Sequence, residues 1–294
     1  MNVQNDRLTK GAAGLTLFTA VLWGGNSVAI KMALAGVPPL ALAGFRFLLG
    51  GLFIAFWCVI SRTTIRPEPG QFPRILRLLL LFVAQIGLLN EGTAYTLAAR
   101  STVFMSAYPF FTALFAHFFI RGDQSQPSRF WGMALSFSGI VLVFGESLAR
   151  ADWTYLRGDV MVLLSAMLLG ARQVYTKRLA QDIPPARLLV WQSGLSLPAF
   201  FAMSLVFEQL HDLTLPTDVV IGIFYQGVVV AGFCFLVITN LLKRYRASQI
   251  GVFGFITPIF GVLLSNLLLN EPLSPGLIGS MILVGAGIAL ANRN

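Results

Sequence analysis

Ten long apolar runs dominate this chain, and they leave little room for anything else. They cover roughly 12–34, 39–61, 74–97, 102–120, 127–146, 156–180, 186–208, 217–240, 247–269 and 275–292. A bilayer core needs about 20 consecutive apolar residues in a helix, so each run is long enough to span one or nearly so. Charged residues make up only 11% of the 294, against about 25% in an ordinary soluble domain. That is too little polar surface to cover a soluble globule, and an apolar chain is not a disordered one. The first run carries Trp23, Asn26 and Lys31 and is too long for a cleaved signal peptide, so it is expected to stay as the first membrane helix.

The formal net charge of +9 would suggest nucleic acid in a soluble protein. Its placement argues otherwise. With the N-terminus on one side, fifteen Lys and Arg fall on that side and four on the other, while Arg46 and Arg172 lie within spans. Basic residues collect on the cytoplasmic face, so both termini are expected inside and no nucleic-acid partner is expected. Cys58 and Cys234 both sit in apolar runs, as small buried residues rather than a metal pair or a disulfide.

The chain repeats itself. Trp23-Gly24-Gly25-Asn26 through Lys31 lies over Leu169-Gly170-Ala171-Arg172 through Lys177, and Val37-Pro38-Pro39 lies over Ile183-Pro184-Pro185, both at an offset of 146. Tyr108-Pro109 matches Thr257-Pro258 at 149, and Gly132 matches Gly279 at 147. Each repeat holds five spans. Five is odd, so the second repeat enters the membrane from the opposite side, an architecture that secondary transporters use to expose a central site alternately. The expected fold is an all-α polytopic membrane protein of ten transmembrane helices in two inverted repeats. The expected boundaries are a cytoplasmic segment 1–11, repeats at 12–146 and 156–292, an extracytoplasmic linker 147–155 and a short tail 293–294.

Trp23-Gly24-x-Asn26, Pro39 with Arg46-Phe47, Pro258 with Asn270-Glu271-Pro272, and Gly279 and Gly285 in the last span together resemble the EamA family of the drug/metabolite transporter superfamily. Within it the chain looks most like the YddG-type exporters of aromatic amino acids. The resemblance implies ten helices, two inverted repeats, export of small metabolites and a bacterial inner-membrane location. One departure stands out: Arg121-Gly122-Asp123 occupies the place of Asn270-Glu271-Pro272, so the acidic end motif of the first half is degraded.

Polar groups at membrane depth usually face the interior or a water-filled cavity. The candidate substrate-binding residues are Trp23, Asn26, Ser27, Asn90, Glu91, Tyr95, Tyr108, Arg172, Gln226 and Asn240. Glu91 is the one acid placed well inside a span, with Asn240 as its repeat mate. A carboxylate there would meet a substrate ammonium or carry a coupled proton, or else pair with a basic side chain and hold helices together. Arg172 suits a substrate carboxylate, against an interior salt bridge or snorkelling. Arg46 reads as structural, and His117 as interfacial. Pro109 and Pro258 are repeat-equivalent and remove a backbone hydrogen bond each, which makes them candidate gating hinges. Gly132-x-x-x-Ser136 and Gly276-x-x-x-Ser280 read as scaffold contacts or a homodimer face.

No phosphate loop, zinc-protease or nucleophile-elbow motif is present, so no catalytic residue, metal or cofactor is expected. The expected function is export of small metabolites, in the first place neutral or aromatic amino acids, by alternating access. A broad drug or nucleotide-sugar carrier is the alternative. A channel would need rings of like charge, and a lipid-modifying membrane enzyme would need clustered catalytic groups, whereas His117 and His211 are expected on opposite faces.

Overall fold

A computed structural model describes residues 3–121, 127–149, 154–210 and 213–291. Gly122, Asp123 and His211, and residues 150–153 of the expected linker, lie outside them. The described helices group into ten rods. They are α1 (Lys10–Ala33), α2 (Pro39–Ile60), α3 (Phe72–Ala94), α4 (Ala98–Phe119), α5 (Pro127–Ala149), α6 (Leu156–Leu179), α7 (Pro185–Phe207), α8 (Thr217–Arg244), α9 (Ala247–Leu269) and α10 (Pro275–Ala291). Seven are long and apolar enough to cross a membrane by length and composition. In α5 and α10 the apolar stretches are shorter, Trp131–Val143 and Pro275–Gly287. Helix α6 is less apolar because it carries Asp159, Arg172, Gln173 and Lys177, and all four are buried inside the bundle. The outer surface is apolar instead: Phe56, Val59, Leu80, Phe118, Leu205, Val206, Phe207 and Leu267 are all exposed, as a lipid-facing surface requires.

The packing obeys a two-fold rule. α1 packs on α8 and α9 as α6 packs on α3 and α4; α2 packs on α8 as α7 packs on α3; α2 meets α7, α4 meets α9 and α5 meets α10. The rule extends to atoms. A Cβ on Gly24 would stand 2.8 Å from Phe260 Cβ and 3.2 Å from Gly261 N. On its repeat mate Gly170 it would stand 2.7 Å from Phe111 Cβ and 2.8 Å from Thr112 N. Phe111 and Thr112 are themselves the mates of Phe260 and Gly261 at offset 149. These crossings exist because the glycines lack a side chain. Gly170→Val is therefore expected to destabilise the fold by about 2 kcal/mol or more through overpacking. Gly14→Ala, with nothing within 4 Å, is expected to stabilise by about 0.5–1 kcal/mol from helix propensity alone. Thermal midpoints in detergent check both.

Three rods are broken along their length. Helix α1 divides at Gly25, between Lys10–Gly24 and Asn26–Ala33; the hydroxyl of Tyr225 donates to Leu22 O at 2.6 Å beside the break. Helix α4 divides between Met105 and Tyr108. Helix α9 passes through a 3-10 turn at Phe253–Ile256. Pro109 and Pro258 open the second halves of α4 and α9, in the first turn where a missing N–H is harmless. They do not kink a continuous helix; they mark symmetric joints between half-helices. Helix α8 contains a π segment at Tyr225–Cys234 that has no counterpart in α3. Pro198 lies inside α7, which runs on without a break. The small residues of α5 and α10 face each other: Gly287 abuts Ser136 and Gly132, and Gly139 abuts Ser280.

Candidate functional site

A cavity lies where the broken helices meet. It holds about 480 Å³ of space outside the atoms. Trp23, Asn26 and Ser27 of α1 line it, with Arg46 of α2 and Gln85, Ile86 and Leu89 of α3. Thr102, Met105, Ser106 and Tyr108 of α4 join them, with Leu169 and Arg172 of α6, Phe235 of α8 and Thr257 of α9. The break in α1 carries Asn26 and Ser27 here, and the joint in α4 carries Ser106 and Tyr108. Tyr108 and Thr257 are repeat mates, so the lining shares the pseudo-symmetry. A second cavity shares Trp23, Arg172 and Phe235 and continues past Gln173, Thr176, Gln192 and Thr239 to Leu242.

One wall is aromatic. The Trp23 ring centroid stands 6.2 Å from Tyr108 and 5.9 Å from Phe235. The opposite chemistry is unspent polarity. Asn26 Oδ1, Gln85 Oε1, Arg46 Nε and Nη1, and Arg172 Nη1 are buried without a hydrogen-bond partner. Buried polar groups are otherwise almost always paired, and five orphaned atoms on residues of one cavity form a set of donors and acceptors ready for a solute.

Of the residues expected at the site, Trp23, Asn26, Ser27, Tyr108 and Arg172 line this cavity. The other five stand elsewhere. Asn90 donates to Pro39 O at 3.0 Å, joining α3 to α2. Gln226 donates to Ala29 O at 3.0 Å and Gly222 O at 3.2 Å, a tie from α8 to α1. Asn240 is exposed and donates to Leu236 O one turn back. Tyr95 is exposed, with the Arg157 guanidinium 4.1 Å from its ring centre. Glu91 is three residues from the end of α3 at Ala94, with Arg157 and Glu208 as its charged neighbours. The apolar run overshoots α3 by three residues, and that places Glu91 in the last turn rather than well inside the span. Among the described residues, the acid buried in a helix is instead Asp159. It accepts from Thr96 Oγ1 at 2.7 Å and pairs with Arg100. His117 is exposed against Phe118.

Lys31 and Lys177 were not among the residues expected at the site. Their alignment at offset 146 was the signal of a shared role. Lys31 Nζ donates to the carbonyls of Thr93, Ala94 and Thr96 at 3.1, 3.2 and 2.7 Å. Lys177 Nζ donates to those of Leu242 and Tyr245 at 3.2 and 2.5 Å. Thr93 and Leu242, and Thr96 and Tyr245, are mates at offset 149. Each lysine thus ties the first or sixth helix to the end of the third or eighth. Lys177 also donates to Gln4 O at 2.8 Å, ahead of α1, whereas Lys31 sits near the far end of α1. The two latches therefore close opposite ends of the bundle.

The ends are not equal. At the Lys31 end, the Glu271 carboxylate accepts from Ala98 N and Ala99 N at 2.7 and 2.8 Å and so caps α4. Asn270 makes this reach by adopting left-handed backbone, φ 53°, at the end of α9, a conformation asparagine tolerates. Glu208 caps α2 at Leu40 N and Ala41 N, at 2.6 and 3.0 Å. Carboxylates suit helix N-termini. At the Lys177 end the N-terminal segment bridges the bundle, with Asp6 N donating to Arg244 O at 3.1 Å and Leu8 N to Gln249 Oε1 at 3.3 Å.

The EamA-like transporter family matches residues 10–145 and 156–293. The two matches start 146 residues apart, the offset found in the sequence. An uncharacterized transporter, YoaV, of Bacillus subtilis (strain 168) is 23% identical over 91% of this chain and 92% of its own. Proteins named as probable amino-acid metabolite efflux pumps are 25% identical in Escherichia coli (strain K12), over 88% of this chain and 87% of that protein. In Salmonella typhimurium the figure is 26%, over 93% and 92%. One solved crystal structure superposes with a TM-score of 0.78 at 17% identity, over 96% of this chain and 97% of that one. The chain belongs to the EamA-like transporter family and is an integral, multi-pass membrane transporter.

Proposed function

We propose that this EamA-family transporter exports amino acids or closely related metabolites, by alternating access to the cavity around Trp23, Asn26 and Arg172. The observation that carries the reading is the set of orphaned buried groups in that cavity. Arg46 and Arg172 offer N–H groups to a carboxylate, Asn26 Oδ1 and Gln85 Oε1 accept from a polar nitrogen or hydroxyl, and the Trp23–Tyr108–Phe235 wall packs an apolar body. The names of the Escherichia coli and Salmonella typhimurium relatives agree with that substrate class.

The two lysine latches support alternation. In this state both are closed. Loading requires one end to part while the other holds, and an inverted repeat supplies the same device at each end. The positive-inside count favours the Lys177 end as the cytoplasmic one, and the bacterial relatives suit an inner-membrane location. The joints at Pro109 and Pro258 divide α4 and α9 level with the cavity, where a half-helix swings with least disturbance.

Proteoliposomes loaded with a panel of amino acids test the reading, with and without a pH gradient. Saturable release of some members is expected, reduced at least roughly tenfold by Arg172→Gln, the loss of one charged contact. No release above protein-free vesicles for any member contradicts it.

A further inference from the structure

Arg46 and Arg172 are 1% and 6% exposed, and their guanidinium carbons lie 5.9 and 5.0 Å from the same Phe235 ring centre. Phe82 adds a second ring 5.0 Å from Arg172, and Phe47 one 5.2 Å from Arg46. Aromatic faces hold a cation in place but do not neutralise it. Among the described residues no carboxylate forms an ion pair with either arginine. The buried and half-buried acids among these residues stand at the Lys31 end and are engaged there: Asp159 with Arg100, Glu208 at the start of α2, Glu271 at the start of α4, and Glu91 beside Arg157 and Glu208. The cavity lining contains no Asp or Glu. Two guanidinium groups thus face one low-dielectric space with unused N–H groups and no counter-charge. Such charges are retained where a ligand supplies the missing sign.

We infer that the preferred solute is a net anion. It is an organic acid of amino-acid size without a free ammonium, such as a 2-oxo acid or an N-acylated amino acid, its carboxylate held by Arg46 and Arg172. The inference rests on the cavity being the transport site. A zwitterion is the poorer fit, because its ammonium adds a third positive charge where the lining offers only the neutral oxygens of Asn26 and Gln85.

The test uses the full chain, purified and reconstituted, with two probe series that each share one body. One is 3-phenylpropionate, phenylalanine and phenethylamine; the other is 4-methylpentanoate, leucine and isoamylamine. Binding is read by thermal stabilisation and transport by counterflow. The acid is expected to bind roughly tenfold tighter than the zwitterion in at least one series, and the amine not at all. Arg172→Gln is expected to abolish the preference for the acid while raising the thermal midpoint of the ligand-free protein, since it removes an uncompensated buried charge. An arginine that served only packing would lower that midpoint. Equal or tighter binding of the zwitterion or the amine overturns the inference. So does failure of both acids to bind at millimolar concentration. If the amino acids are carried and the acids are not, the amino-acid reading stands and the anion preference falls; if neither class is carried, both fall.

Discussion

Replacing the two lysines one at a time is expected to drive the protein into opposite open states. Lys177→Met removes the ammonium that ties α6 to Leu242, Tyr245 and Gln4, so the cytoplasmic end opens. Lys31→Met frees Thr93, Ala94 and Thr96, so the other end opens. Hydrogen bonds from a charged donor contribute about 1.5–3 kcal/mol each when their geometry is good. A latch that is lost in only one state biases the equilibrium by about 3 kcal/mol, roughly a hundredfold. Lys177 is fully buried and Lys31 half-buried, so the larger shift belongs to Lys177→Met. Both variants lose transport, because a carrier held in one state cannot cycle. With Cys58 and Cys234 replaced by alanine, a reporter cysteine at Thr239, in the second cavity that runs toward Leu242 at the Lys177 end, gives the readout. Its labelling by an impermeant thiol reagent from the cytoplasmic side rises in Lys177→Met and falls in Lys31→Met. A change of the same sign in both variants contradicts the latch assignment.

The second large effect concerns stability. Asp159 is 0% exposed on its side chain and Arg100 8%, and they pair at the Lys31 end. Thr96 adds a hydrogen bond to the same carboxylate. Asp159→Ala removes the carboxylate that pairs with a buried guanidinium, and breaking such a pair costs about 3–5 kcal/mol. Much of that cost is the imbalance of buried charge rather than the worth of the pair, so Arg100→Met with Asp159→Leu is expected to recover part of the lost stability. Denaturation midpoints in detergent separate the two contributions. A double variant as unstable as Asp159→Ala alone shows that the pair is not the source.

The architecture was legible because membrane insertion leaves so few solutions. Runs of apolar residues give the rods, and the match of Gly24 with Gly170 gave the inverted repeat before any packing was seen. Five of the ten residues expected at the site line the cavity, because a polar side chain at membrane depth, such as Asn26, turns into the protein interior. The other five do not, because span ends are invisible in hydropathy. Glu91 seemed well inside a span until α3 stopped at Ala94, and Asp159, buried in α6, was not among the expected site residues. Gln226 and Asn90 face inward but bond to neighbouring backbone, and sequence does not distinguish a helix tie from a ligand contact. Lys31 and Lys177 were counted only for orientation; carbonyls exposed at helix ends are the partners that give them work, and those appear only in three dimensions. The π segment of α8, which carries the approach to Phe235, left no trace in the spacing of its apolar residues.

Counterflow tests the central claim most directly. Proteoliposomes are loaded with an unlabelled amino acid or related acid shown to be carried, and uptake of the labelled solute is followed as the internal concentration rises. Alternating access around one cavity predicts that internal solute speeds labelled uptake, that the stimulation saturates, and that Lys177→Met abolishes it. Uptake that rises linearly with the gradient and ignores internal solute would mean an open pore, and would contradict the account.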